Sequence, residues 1–232
     1  MSYSNLALHT LTTKPWSIFE CIEQYTRRGI GGISVWRETV ANHDLVDVRR
    51  ALDDSPLACL SYVRGGFFTG DTETQRVAAL DTNRRIIDEA ATLGMPSVVL
   101  VCGATPGQTP RTNLGQIRDG ISAILPHAEA QGVDLLIEPL HPIYCGDKSG
   151  VPTLAVANDL CEELDHDRLR IAVDTYHLWW DPSLEAELAR CAQNDHLRAY
   201  HICDFKPDQT DPLLDRGIMG EGCANLQEID QW

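Results

Sequence analysis

The sequence predicts a (β/α) barrel, and three observations carry that prediction. Short apolar runs and amphipathic stretches alternate about seven times, with short connections and no break in composition. Three successive late strands end in side chains that can bind a metal: Glu138, Asp174 and His201. No glycine-rich loop follows the first strand, as it commonly does in an open doubly wound sheet, which is the alternative architecture. In a parallel barrel all strand C-termini share one rim, so tip residues from different strands can meet.

Taken in order, residues 5–10 form a first strand with His9 at its end, and residues 16–28 a helix that Gly29-Ile30-Gly31-Gly32 breaks. A second strand, 33–36, ends in Trp36 beside Arg37 and Glu38, and a helix over 44–52 stops before Pro56. The third strand, 57–63, leads into the loop Arg64-Gly65-Gly66-Phe67-Phe68, whose glycines suit equally a lid carrying two aromatic rings and an ordinary turn. Residues 72–93 are the clearest helix. Val77, Leu80, Ile87 and Ala91 share a face, Arg84 interrupts it, and Gly94 and Pro96 end it.

The fourth strand, 97–102, is nearly all apolar and ends in a loop with no metal-binding side chain. A helix over 113–131 is expected to break or bend at Pro126. The fifth strand, 133–137, delivers Glu138, and Pro139 marks its end because proline has no N–H for the ladder. A helix over 153–164 is capped by Thr153, and the sixth strand, 169–173, ends at Asp174. After a helix over 184–192, the seventh strand, 197–200, ends at His201. A loop rich in Asp and Pro spans 204–216, and a last helix starts near Leu226.

A complete barrel has eight strands. The expectation is therefore a single domain over 1–232, C-terminally truncated and lacking the eighth strand. Its open seam would invite a partner, so a homo-oligomer is allowed for.

Composition narrows the function. The 232 residues carry a formal net charge of −15, which repels phosphate backbones and argues against nucleic-acid binding. The start, Met1-Ser2-Tyr3-Ser4-Asn5, lacks a signal peptide's basic and apolar segments, and no apolar run is long enough to span a bilayer. A cytoplasmic protein without a membrane partner is expected. The eight cysteines are scattered with no C-x-x-C pair, which disfavours a disulfide framework or a structural zinc site. Cys145 and Cys203 suit pocket lining better than nucleophilic roles.

A carboxylate alone after an apolar run is usually a cap or an ion-pair partner. Two carboxylates and an imidazole on consecutive strand tips point instead to one divalent ion. That donor mixture suits Mn²⁺, Co²⁺ or Zn²⁺, and admits Mg²⁺. Trp36, Trp179 and Trp180 could stack on a sugar or simply pack. His9 reads as a core histidine near the pocket floor. Arg37, Arg64 and Arg216 are the candidate anion partners.

The stretches Ile137-Glu138-Pro139-Leu140-His141-Pro142, Val173-Asp174-Thr175-Tyr176-His177-Leu178-Trp179-Trp180, His201-Ile202-Cys203-Asp204 and Arg216 through Gly220-Glu221-Gly222 resemble the xylose-isomerase-like barrel family, the sugar phosphate isomerase/epimerase superfamily. The resemblance covers nearly the whole chain and is strongest from Val133 onward. It implies metal ligands at Glu138, Asp174 and His201, with a fourth, a glutamate, on a strand beyond Trp232. It also implies substrate-binding roles for His177 and Arg216, and a sugar substrate. The chemistry implied is proton transfer next to a ketose carbonyl, with an intermediate cis-enediolate stabilised by one divalent ion, Mn²⁺ first.

Glu138 is then a base as well as a ligand, and His141 is either a second base or an orienting partner for another ligand. Isomerisation or epimerisation is the expected outcome. A lyase using His141 as base and a non-catalytic degenerate barrel are the alternatives. An apurinic-type nuclease would need many more strand-tip histidines than this chain has.

Overall fold

In the computed structural model, which describes residues 3–232, seven parallel strands form one sheet in sequential order. They are β1 (Tyr3–His9), β2 (Ile30–Trp36), β3 (Ala58–Gly66), β4 (Ser97–Val101), β5 (Asp134–Ile137), β6 (Leu169–Asp174) and β7 (Leu197–His201). Sequential parallel order with helical crossovers is barrel topology. Among the described residues no eighth strand joins β7 to β1. The sheet nevertheless curls until the rings at its two outermost tips, His9 and His201, meet edge-to-face at 4.7 Å.

Alternation within each strand divides the apolar residues into two cores. Side chains such as Ile33, Val98, Leu100, Ile137, Ile171 and Val173 face outward and pack under the helices. Inside the curl, Val63, Val99, Leu136 and Ala172 form a smaller cluster joined by Trp36 and Ala199. Each fully buried Leu or Ile contributes about 1.5–3 kcal/mol, so the outer core dominates stability while the inner one shapes the rim.

The main helices are α1 (Ile18–Arg27), α2 (Arg37–Val40), α3 (Leu45–Asp53), α4 (Glu73–Leu93), α5 (Pro110–Gln131), α6 (Leu154–Leu164), α7 (Thr175–Leu178), α8 (Leu184–Gln193) and α9 (Leu226–Ile229). Ser17 with Glu20, and Thr72 with Gln75, close reciprocal capping boxes on α1 and α4. Thr153 caps α6 as expected. None of the described helices is long and apolar enough to cross a membrane.

Several expectations are corrected. Pro126 does not break its helix. It lies inside the continuous α5, where buried Ile121, Ile124, Leu125 and Ala128 on either side hold the helix to the sheet. The predicted stripe of α4 holds in part: Ile87 is buried and Leu80 and Ala91 pack against the core, but Val77 is half exposed and the fully buried face is Asn83, Ile86, Ile87, Ala90 and Leu93. The last helix is a single turn. The short helices α2 and α7, directly after strand tips, were not anticipated.

The expected lid after the third strand is not a lid. Arg64, Gly65 and Gly66 belong to β3, and Phe68 is buried against Gly120 of α5. Gly66 has φ +106°, and a side chain there would collide with the Val101 carbonyl. The buried Asn83 amide clamps this tip. Its Oδ1 accepts from the Gly66 N–H and its Nδ2 donates to the Gly66 carbonyl, both at 2.7 Å.

Replacing that amide leaves two buried backbone groups without partners. Asn83→Ala is expected to lower unfolding stability by about 2–3 kcal/mol, measurable as a shift in the urea midpoint.

Candidate metal centre

The site begins with the last residues of β6 and β7 and the residue that follows β5. Glu138 follows Ile137, its backbone N–H still bonded to the Leu100 carbonyl of β4. Asp174 and His201 are register partners at the ends of β6 and β7. The ligand atoms of Glu138, Asp174 and His201 all lie within 4.8 Å of one another, with both carboxylates buried. This is the juxtaposition that the strand-tip pattern predicts. Two carboxylate oxygens and an imidazole nitrogen at this spacing fit one divalent cation.

The electrostatics are tightly arranged. His201 Nδ1 lies 2.8 Å from Glu138 Oε1. Burial opposes protonation of His201, but the bond to Glu138 and the nearby Asp174 charge outweigh it and raise its pKa. Asp174 splits its oxygens. Oδ1 accepts from the Tyr176 N–H and caps α7, while Oδ2 accepts from Arg216 Nη1 at 3.2 Å. Arg216 lies over the Tyr176 ring at 3.9 Å and donates through Nε to the Pro212 carbonyl. It is therefore engaged by Asp174 rather than standing free as an anion clamp.

His177 is buried, and burial first, then the Arg216 charge, press its pKa down to about 3 against the pull of Asp174. Its Nδ1 accepts from the His141 backbone N–H, so the ring proton of the neutral form sits on Nε2, facing Arg216 and Asp174. The His141 ring stacks on Phe205 at 5.2 Å and meets the edge of Trp180 at 5.9 Å. Its Nδ1 accepts from the Ile143 N–H, and burial lowers its pKa. Neutral His141 thus also presents an N–H from Nε2.

Trp36 stands at the rim on the other side, its Nε1 donating to His9 Nδ1 at 3.1 Å. Desolvation, then the charges of His201 and Arg216, push His9 down to about 3, which keeps it a neutral acceptor. Trp179 is not brought to the ligands: it packs against the outer core and Phe205, and Trp180 is the indole that reaches His141. All eight cysteines are free. At the opposite end of the sheet a cleft of about 550 Å³ is lined by Asp134, Arg168, Arg170 and Arg198, far from the strand tips, and Asp134 pairs with both Arg168 and Arg198.

The sequence did not reveal Asp204. This fully buried carboxylate accepts four backbone N–H groups: Phe205 and Ala224 on Oδ1, Gly220 and Gly222 on Oδ2, at 2.8–3.0 Å. Its own carbonyl accepts from Gly217, next to Arg216. One side chain thus folds the loop that carries Arg216 back onto the rim. Gly220 and Gly222 around Glu221 were the available signal, since they bring bare N–H groups together. Glu221 itself is exposed.

The fold and the site define the class as a seven-stranded (β/α) barrel with a carboxylate–carboxylate–imidazole cluster, able to hold a metal ion, on its C-terminal rim. More narrowly, the chain belongs to the xylose isomerase-like TIM barrel family, whose model matches residues 19–231. Protein SMc04130 of Sinorhizobium meliloti 1021 is 39% identical, with a TM-score of 0.93 over 97% of this chain and 83% of its own. A D-psicose 3-epimerase crystallised in the presence of D-fructose has a TM-score of 0.78 at 14% identity, over 97% of this chain and 78% of its own. The IolI protein with a bound zinc atom has a TM-score of 0.80 at 20% identity, over 96% and 81%. At those identities the last two show the shared fold. No functionally curated protein matches in sequence.

The Asp204 cage yields a pH prediction. Burial opposes ionisation, but the four backbone donors outweigh it and lower the pKa. A lowered folded-state pKa stabilises fully above the unfolded-chain value, about 3.9 for Asp. That stability is lost as pH falls through the folded value. Asp204→Asn should therefore cost roughly 2 kcal/mol at neutral pH and flatten the acid limb of a plot of urea midpoint against pH.

Proposed function

We propose that the protein is a divalent-metal-dependent isomerase or epimerase of a small sugar or sugar phosphate, working by proton transfer beside a ketose carbonyl through a cis-enediolate. The observation that carries this reading is the mutual approach of Glu138, Asp174 and His201 within 4.8 Å on one rim. Family membership and the fold shared with a sugar epimerase support it. One sheet supplies all three ligands, so residues 1–232 act as a single catalytic domain. The exposed Tyr3, Leu6, Leu197 and Tyr200 on the two outermost strands favour self-association.

Glu138, Asp174 and His201 would hold the ion. Mn²⁺ is the first choice for a set rich in carboxylates, with Co²⁺, Zn²⁺ and Mg²⁺ as alternatives. When bound, the ion polarises a ketose carbonyl and acidifies the neighbouring C–H. Every other contribution comes from the chain. Glu138 is the base that removes the proton; returning it on the same face to the neighbouring carbon gives isomerisation, and epimerisation needs a second acid on the opposite face. His141 offers an Nε2–H to a substrate oxygen, and His177, buried with its Nε2 toward Arg216 and Asp174, positions the His141 backbone beside it. Trp36 and Trp180 give apolar faces for the C–H side of a sugar. Arg216 positions Asp174 by neutralising its outer oxygen.

The His141 tautomer weighs against the lyase alternative. A base needs a free lone pair, and the Nδ1 lone pair already receives the Ile143 N–H.

The test combines metal content with exchange. Purified protein is expected to hold one equivalent of a divalent ion by elemental mass spectrometry. With the ion bound, it should exchange deuterium from D₂O into a ketose such as D-fructose or D-psicose with the carbon skeleton intact. Glu138→Gln should lower exchange by at least about 100-fold, and chelator should abolish it until the metal is restored. A protein that takes up no divalent ion, or exchange that survives both chelation and Glu138→Gln, rules the reading out.

A further inference from the structure

Three arginines flank the strand tips, and the structure separates them. Arg37 is committed to Glu89 through two bonds of 2.7 Å, and Arg216 is committed to Asp174. Arg64 is different. Among the described residues its guanidinium has no carboxylate partner and no hydrogen bond, although the chain has 34 acidic residues against 19 Lys and Arg. It lies instead within cation–π range of two rings, 5.6 Å from the centroid of Trp36 and 5.4 Å from that of Phe67.

Its direction is set by a bulge. Val63 pairs with Val99 and Gly65 with Leu100, so Arg64 is the extra residue in β3. Strict alternation after the inward-facing Val63 would turn residue 64 outward toward the helices. A bulge re-aims the side chain. Arg64 therefore covers Trp36, which packs on the inner cluster and is bonded to His9, whose ring touches His201. The Asn83 clamp on Gly66 holds the bulged tip in place. A cation–π contact uses none of the guanidinium N–H groups, so the fork that grips carboxylate or phosphate is left without a partner.

We propose that Arg64 is the recognition point for an oxyanion, a carboxylate or a phosphate, carried by the substrate at the β2–β3 side of the rim. The assignment rests on the isomerase reading for the identity of the adjoining site, and it makes the substrate an acidic or phosphorylated sugar rather than a neutral one.

The experiment is anion binding to the full chain in the presence of chelator, so that a bound metal contributes no affinity. Wild-type protein and Arg64→Gln are titrated with inorganic phosphate and, separately, with malonate, at constant ionic strength held with chloride. Tryptophan fluorescence is the readout because Trp36 lies beneath the guanidinium. Saturable binding of at least one anion, weakened roughly tenfold in Arg64→Gln, supports the assignment. A response to phosphate alone identifies a phosphorylated substrate, and a response to malonate alone a carboxylated one. Arg64→Lys keeps the charge without the fork and is expected to bind at an intermediate level.

If Arg64→Gln does not fold, phenylglyoxal modification of the wild type supplies the answer. Either anion should protect Arg64, read by peptide mass spectrometry. Anion binding that depends on Arg64, together with failure of the wild type to hold metal, would remove the isomerase reading and leave the anion site standing. Absence of saturable binding by both anions, equal affinity in Arg64→Gln, or unprotected modification of Arg64 overturns the proposal.

Discussion

Glu138 and Asp174 put two carboxylates into one buried corner of the barrel rim, and the surrounding structure is arranged to offset that. Burying like charges together is unfavourable unless each finds a cationic or hydrogen-bonding partner. His201 supplies one from the neighbouring strand, and Arg216 supplies the other from a distant loop. The α7 N-terminus supplies a third through the Tyr176 N–H. The same corner that is costly to bury without partners is a natural seat for a divalent cation.

That arrangement depends on a loop whose own organiser is another buried carboxylate. Asp204 gathers four backbone N–H groups from the chain beyond β7, and its carbonyl bonds Gly217. Strand β7 thus positions His201 directly and Arg216 indirectly, through a single side chain three residues further on. The opposite side of the rim is fixed by different means. There the Asn83 clamp, the β3 bulge and the Trp36–His9 bond set the wall.

The sheet's curvature joins the two sides. Contact between His9 and His201 closes the rim at the C-terminal ends of the strands although β1 and β7 do not pair. Exposed Tyr3 and Leu6 on β1, and Leu197 and Tyr200 on β7, mark the seam along its length. Strand twist and packing of the outer core under the helices are sufficient to curve the sheet without that pairing.

The strand tips were legible in the sequence because parallel buried strands are apolar and end abruptly. Glu138, Asp174 and His201 each break such a run, and one rim is where a parallel barrel must gather them. The cap at Thr153 was equally local, since its hydroxyl bonds an N–H only three residues on. What escaped the sequence involves partners distant in the chain. Arg216 looked like an open anion clamp until Asp174, 42 residues earlier, engaged it. Asn83 looked like one more residue of a helix, yet its amide holds Gly66. Phe68 was expected over a substrate and instead fills the space beside Gly120. Periodicity and turn chemistry act over a few residues and so fix the elements and their ends. Which cation neutralises which carboxylate, and which arginine is left free, depends on distances between chain segments that only the folded structure sets.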